Sequence, residues 1–158
     1  MKRGTVTISV IKGLRGALIL LTFLGFSGCG SQESETGNNI VKIGQVSPLT
    51  GSIAHLGKDN EYGARLAIME ANERNISIAG SVVQFELVSE DDEAKPLKST
   101  IVAQKLVDAG VVGVIGHLNS GTTIPASKIY FDAGIAQISP SATNVNYTNQ
   151  GFNTAFRV

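Results

Sequence analysis

Three hydroxyl side chains, Ser120, Ser141 and Thr143, stand just beyond two apolar runs at residues 111–115 and 135–139. The first run continues through Gly116-His117-Leu118-Asn119-Ser120 into a helix whose first turn holds Pro125. A buried strand that turns through small residues into a helix brings backbone N–H groups and a hydroxyl to one spot. Such a spot suits a carboxylate or another small anion. Ordinary helix capping is the competing role for the same three residues.

Other chemistry-bearing residues point elsewhere with less force. The acidic run Glu90-Asp91-Asp92-Glu93 suggests a metal site, but such a run more often caps the next helix or faces water. The two histidines, His55 and His117, fall on different loops, and neither has a second histidine or a cysteine at ligand spacing. No metal and no cofactor is expected. Gly110, Gly113 and Gly116 recur every three residues, but Gly113 lies inside a strand rather than in a phosphate-gripping turn. Ser120 lacks a Gly-x-Ser-x-Gly elbow, so no catalytic residue is assigned.

The elements that position these residues alternate. Strands are expected at 40–47, 82–89, 111–115, 135–139 and 154–158, with helices at 59–75, 96–109 and about 122–133. In the first helix Tyr62, Leu66 and Met69 form the apolar stripe, with Arg65, Glu70, Glu73 and Arg74 toward solvent. Pro96 opens the second helix, and Gly110 and Gly134 end the second and third. Residues 75–80 read as a break and 144–150 as a polar connection. Alternation at this spacing predicts an α/β, Rossmann-like three-layer sandwich with a mainly parallel sheet. Ligands of such sheets bind at the carboxyl ends of the strands. Here those ends carry residues 48–57, 90–93, 116–120 and 140–143. The chain closes on Phe156-Arg157-Val158, in mid-strand, which reads as an incomplete domain.

The N-terminus is of another kind. Lys2, Arg3, Lys12 and Arg15 precede an apolar run at 17–26, too short for a spanning helix of roughly 20 residues. Phe26-Ser27-Gly28-Cys29 then resembles a bacterial lipoprotein signal: residues 1–28 are removed and Cys29, the only cysteine, is lipidated. Residues 29–39 read as a flexible tether. Without the leader the chain has 9 basic and 13 acidic residues, a net charge of about −4. No basic face for nucleic acid is expected, and one cysteine excludes an internal disulfide.

Lys42-Ile-Gly-Gln-Val-Ser-Pro-Leu-Thr-Gly51 and Gly63-Ala-Arg-Leu-Ala67 resemble the opening of a branched-chain amino acid binding protein. So do Asp91-Asp92, Val114-Ile-Gly-His-Leu118, Pro125-Ala-Ser127, Ile129-Tyr130 and Ser139-Pro-Ser-Ala-Thr143. The resemblance spans residues 40–158 and corresponds to the N-terminal lobe of a type I periplasmic binding protein, without the second lobe and its hinge. It implies a monomeric, extracytoplasmic, lipid-anchored solute receptor that hands leucine, isoleucine, valine or a similar zwitterion to the permease of an ABC importer. On this resemblance Ser120 holds the α-carboxylate, Thr143 contacts carboxylate and ammonium, and the Ser141 carbonyl accepts from the ammonium. Leu56 stands where leucine-binding members place an aromatic over the ligand side chain. Ala94 and Asn119 stand where some members have a disulfide. With half a cleft, binding is expected to be impaired. A ligand-sensing receptor of the same fold is the nearest alternative; a doubly wound hydrolase or nucleotide-binding protein is the more distant one.

Overall fold

The structure, a computed structural model, describes residues 39–158. The leader, the Cys29 lipidation site and all of the tether except Asn39 lie outside the described residues. β1 (Asn39–Ser47) runs through the middle of a six-stranded sheet of order β2-β3-β1-β4-β5-β6. β3 (Ser81–Asp91), β4 (Gly113–Gly116), β5 (Ala136–Ser139) and β6 (Ala155–Arg157) continue it in parallel register. The two-residue β2 (Ser77–Ile78), where only a break was expected, pairs antiparallel to β3 at the edge.

Crossovers that step toward β3 and those that step toward β6 must pass on opposite faces if both are right-handed. Accordingly α1 (Ala54–Glu73) lies on one face, over β1 and β3. α2 (Pro96–Asp108) and α3 (Ser120–Asp132) share the other face. There Val46 and Val114 meet Val102, Ala103, Leu106, Ala126 and Tyr130 in the main core. Gly110 and Gly134 follow the ends of α2 and α3 with φ of +74° and +70°, the left-handed geometry expected of them.

The α1 face differs from the sequence expectation. The helix starts at Ala54 rather than residue 59, its first turn closed by the Ala54 N–H donating to the Gly51 carbonyl at 3.2 Å. The stripe Tyr62, Leu66 and Met69 is exposed, at 62%, 56% and 59%. The sheet is met instead by Ala64, Ala67, Ile68 and Ala71, which line an apolar groove with Ile43, Phe85, Ile115 and Ile138. At its N-terminal end α1 presses against the loop after β1: a Cβ at Gly57 would lie 2.0 Å from the Pro48 carbonyl oxygen, while the Ser47 hydroxyl donates to the Gly57 carbonyl at 2.9 Å. Asn72, near the end of α1, pairs with both backbone groups of Phe85. Its amide donates to the Phe85 carbonyl at 3.0 Å, and its oxygen accepts from the Phe85 N–H at 2.7 Å.

Two further expectations change. α3 begins at Ser120, so Pro125 sits in the second turn rather than the first. The polar connection at 144–150 contains a short 3-10 helix, Val145–Tyr147, and fully buries Tyr147, whose hydroxyl donates to the Gln137 carbonyl at 2.9 Å.

Candidate functional site

The carboxyl ends of β1, β4 and β5 open on one cleft of about 500 Å³. It is lined by Leu56, Asp59 and Asn60 from α1, Leu118, Asn119 and Ser120 from the β4–α3 turn, and Ser141 and Thr143 from the turn after β5. Ser120, Ser141, Thr143 and Leu56, which sequence placed on three separate segments, are thus brought together. Leu56 remains 46% exposed over the cleft.

The two turns are laced to each other. Ser141 Oγ donates across the gap to the Leu118 carbonyl at 2.7 Å, and the Asn144 N–H donates to Ser120 Oγ at 3.1 Å. With its lone pair so engaged, the Ser120 hydroxyl keeps its proton for an anionic acceptor. Neither serine caps a helix. At the start of α3 the Asn119 carbonyl accepts the Thr122 and Thr123 N–H groups at 3.0 and 2.8 Å. The N–H groups of Ser120 and Gly121 have no protein partner among the described residues. They add two donors and the positive end of the helix dipole beside the hydroxyl. Arg157 donates to the Thr143 carbonyl at 3.0 Å, which leaves the Thr143 N–H and hydroxyl for the cleft.

Below the cleft the acidic run departs from its expected role. Asp92 neither caps α2 nor faces water. It is fully buried, and its Oδ2 lies 2.8 Å from His117 Nδ1. The far ring nitrogen of His117, also fully buried, lies 3.2 Å from the Tyr130 hydroxyl. Burial pushes the His117 pKa down, and Asp92 offsets this only in part. The neutral ring then donates Nδ1–H to Asp92 and accepts from Tyr130, whose own pKa burial and the Asp92 charge drive far up. Its neighbour Asp91 accepts from the Leu49 N–H at 2.8 Å and the Thr50 hydroxyl at 2.6 Å, tying the loop before α1 to the end of β3. Partial burial raises the Asp91 pKa, but these bonds, that from the Glu93 N–H and the Lys98 charge bring it below the ordinary value. Glu93, by contrast, is a half-buried partner of Lys95 and Lys98.

Sequence reasoning missed Asp59 and Asn60. They lie three and four residues after Leu56, and therefore on one helix face with it, once α1 begins at Ala54. Asn60 Nδ2 and Asn119 Oδ1 are buried with no hydrogen-bond partner among the described residues.

A strand-end cleft walled by hydroxyls and a helix N-terminus on a mainly parallel sheet defines a solute-binding lobe. Residues 40–158 match the periplasmic binding protein family, and the chain belongs to it. A Leu/Ile/Val-binding protein homolog of Brucella abortus is 43% identical over 117 residues, covering 74% of this chain and 31% of its own. The leucine-, isoleucine-, valine-, threonine- and alanine-binding protein of Pseudomonas aeruginosa is 36% identical, over 99% of this chain and 38% of its own. Among solved structures, the branched-chain amino acid transporter substrate binding protein of Streptococcus pneumoniae in complex with isoleucine superposes with a TM-score of 0.68 at 33% identity. That match takes in 75% of this chain and 33% of the other. The chain therefore spans about a third of the length of these relatives. The family is one of solute-binding proteins rather than enzymes.

Proposed function

We propose that this chain supplies the carboxylate-binding wall of an extracytoplasmic amino-acid receptor serving an ABC importer. The observation that carries the proposal is the laced pair of turns. Ser120 presents a hydroxyl proton beside two free helix N–H groups, and Thr143 faces it across the same cleft. A zwitterion needs donors for its carboxylate and an acceptor for its ammonium. Ser120 and Thr143 provide the first, and the Ser141 carbonyl provides the second. Leu56 packs against the ligand side chain, in keeping with a leucine, isoleucine or valine ligand such as the relatives' names record. The permease is the partner that takes the ligand onward. Cys29, once lipidated, holds the receptor at the membrane surface.

No second wall facing this cleft is present among the described residues, so capture by this chain alone is weak. Titration of the chain with leucine, followed by amide chemical shifts, gives a millimolar dissociation constant, about −4 kcal/mol. The perturbed signals cluster at Ser120, Gly121 and Thr143, and Ser120→Ala abolishes them. Micromolar binding in calorimetry would overturn the single-wall reading, and shifts elsewhere on the surface would overturn the site.

A further inference from the structure

The loops on the ligand edge are tied, directly or through one or two intermediates, to a single buried residue. The His117 ring is held at both ends, by Asp92 from the end of β3 at 2.8 Å and by Tyr130 from α3 at 3.2 Å. Its backbone carbonyl is held as well. Thr123 Oγ1, from the first turns of α3, shares its one proton between this carbonyl at 3.0 Å and the Asn119 carbonyl at 2.8 Å, and Ser139 Oγ, at the end of β5, donates to the His117 carbonyl at 2.8 Å. Ser139 Oγ in turn accepts the Ala142 N–H at 3.0 Å, which fixes the turn carrying Ser141 and Thr143. The Asp92 N–H reaches the Ser47 carbonyl at 3.4 Å, and Ser47 holds the start of α1 through Gly57.

Gly116, the residue before His117, admits no side chain: a Cβ there would lie 2.2 Å from the Val46 carbonyl oxygen. The turn thus already lies against β1 and has no room to move toward it. A hydrophobic residue in place of His117 would satisfy the packing but leave Asp92 Oδ2 and the Tyr130 hydroxyl buried without partners, with only Asp92 Oδ1 still held, by the Ala94 N–H at 2.9 Å.

We propose that His117 is the positioning residue of the ligand site: its sealed contact with Asp92 and Tyr130 sets the spacing between the turn bearing Ser120 and the turn bearing Ser141 and Thr143. The proposal rests on the amino-acid-binding reading for its purpose but not for its test. His117 touches no ligand. It acts through Thr123 and Ser139 on the two turns that carry Ser120 and Thr143 to one cleft.

The ring's tautomer reports the arrangement directly. In the wild-type chain, ring ¹⁵N signals show a proton on Nδ1 and a bare Nε2. Asp92→Asn turns the acceptor into a donor, and the proton moves to Nε2. The amide signals of Ser120, Gly121, Ala142 and Asn144 then shift together, and leucine affinity falls about tenfold, the scale of one lost charged hydrogen bond. Tyr130→Phe, which removes one hydroxyl, gives the same pattern at smaller amplitude and serves if Asp92→Asn does not fold. His117→Gln, whose amide still donates to Asp92, restores part of the affinity that His117→Leu loses. Ser120→Ala abolishes the leucine response and leaves the tautomer alone. A tautomer switch that leaves the turn amides at wild-type positions overturns the positioning role. A wild-type chain with no leucine response overturns the binding reading instead, and the amide shifts still decide this one.

Discussion

The two faces of the sheet are held by different forces. Beneath α2 and α3 the packing centres on aliphatic side chains, with the Asp92–His117–Tyr130 chain at the cleft end: Leu106 is fully buried in a cluster with Val46, Val102, Val111 and Val114. On α1 Tyr62, Leu66 and Met69 are exposed, and polar ties supplement the small-residue contact: Ser47 to Gly57, Asn72 to Phe85, and Asp91 to Leu49 and Thr50. Hydrocarbon burial is non-directional and tolerates small shifts, whereas hydrogen bonds fix distance and angle. Both kinds of element border the cleft, since Leu56 and Asn60 come from α1 and Ser120 from α3. The cleft wall thus joins a packed half to a tethered half. Hydrogen exchange should show the difference, with α1 opening ahead of α2 and α3.

The contrast breaks hardest at Leu106. Leu106→Ala, on the aliphatic face, costs about 2–5 kcal/mol in urea unfolding. On the tethered face the equivalent blow is Asn72→Ala, which strips partners from the partly buried Phe85 backbone and costs about 1–3 kcal/mol. Its effect concentrates in α1 amide exchange, while Leu106→Ala weakens the whole domain.

Acid separates the faces next. The Asp91 pKa is lowered on folding, so its tie to the α1 loop is complete above the ordinary value of 3.8 and is lost as pH falls through the folded value. Wild type should therefore lose stability more steeply than Asp91→Asn below about pH 4, with α1 exchange rising first. A common slope for the two proteins would remove Asp91 from the set of tethers. The smallest effect belongs to Leu66→Lys. Despite deleting a leucine, it stays within about 0.5 kcal/mol of wild type, because that side chain is 56% exposed.

Sequence periodicity made the aliphatic face legible and misread the tethered one. Pro96 and Gly110 bracket α2 as expected. On that helix Val102 and Leu106 are buried, while Ile101 remains exposed. In α1 two stripes compete at the same spacing, Tyr62-Leu66-Met69 and Ala64-Ile68-Ala71. A rule that ranks by side-chain size chooses the first, whereas the fold turns the second toward the sheet. The hydroxyls of the cleft were legible because turns after strands are short and point one way. The Asp92–His117–Tyr130 chain was not. Its members lie far apart in sequence, and an aspartate within four consecutive acids carries no mark that it alone turns inward.

The Asn72 amide has a consequence beyond the folded monomer. β3 is eleven residues long, but β2 covers its outer edge at only two of them. By occupying both main-chain positions of Phe85, Asn72 caps the very rung on which a second polypeptide could begin to add. At that rung the β3 edge is thereby closed to strand-by-strand addition of a second copy.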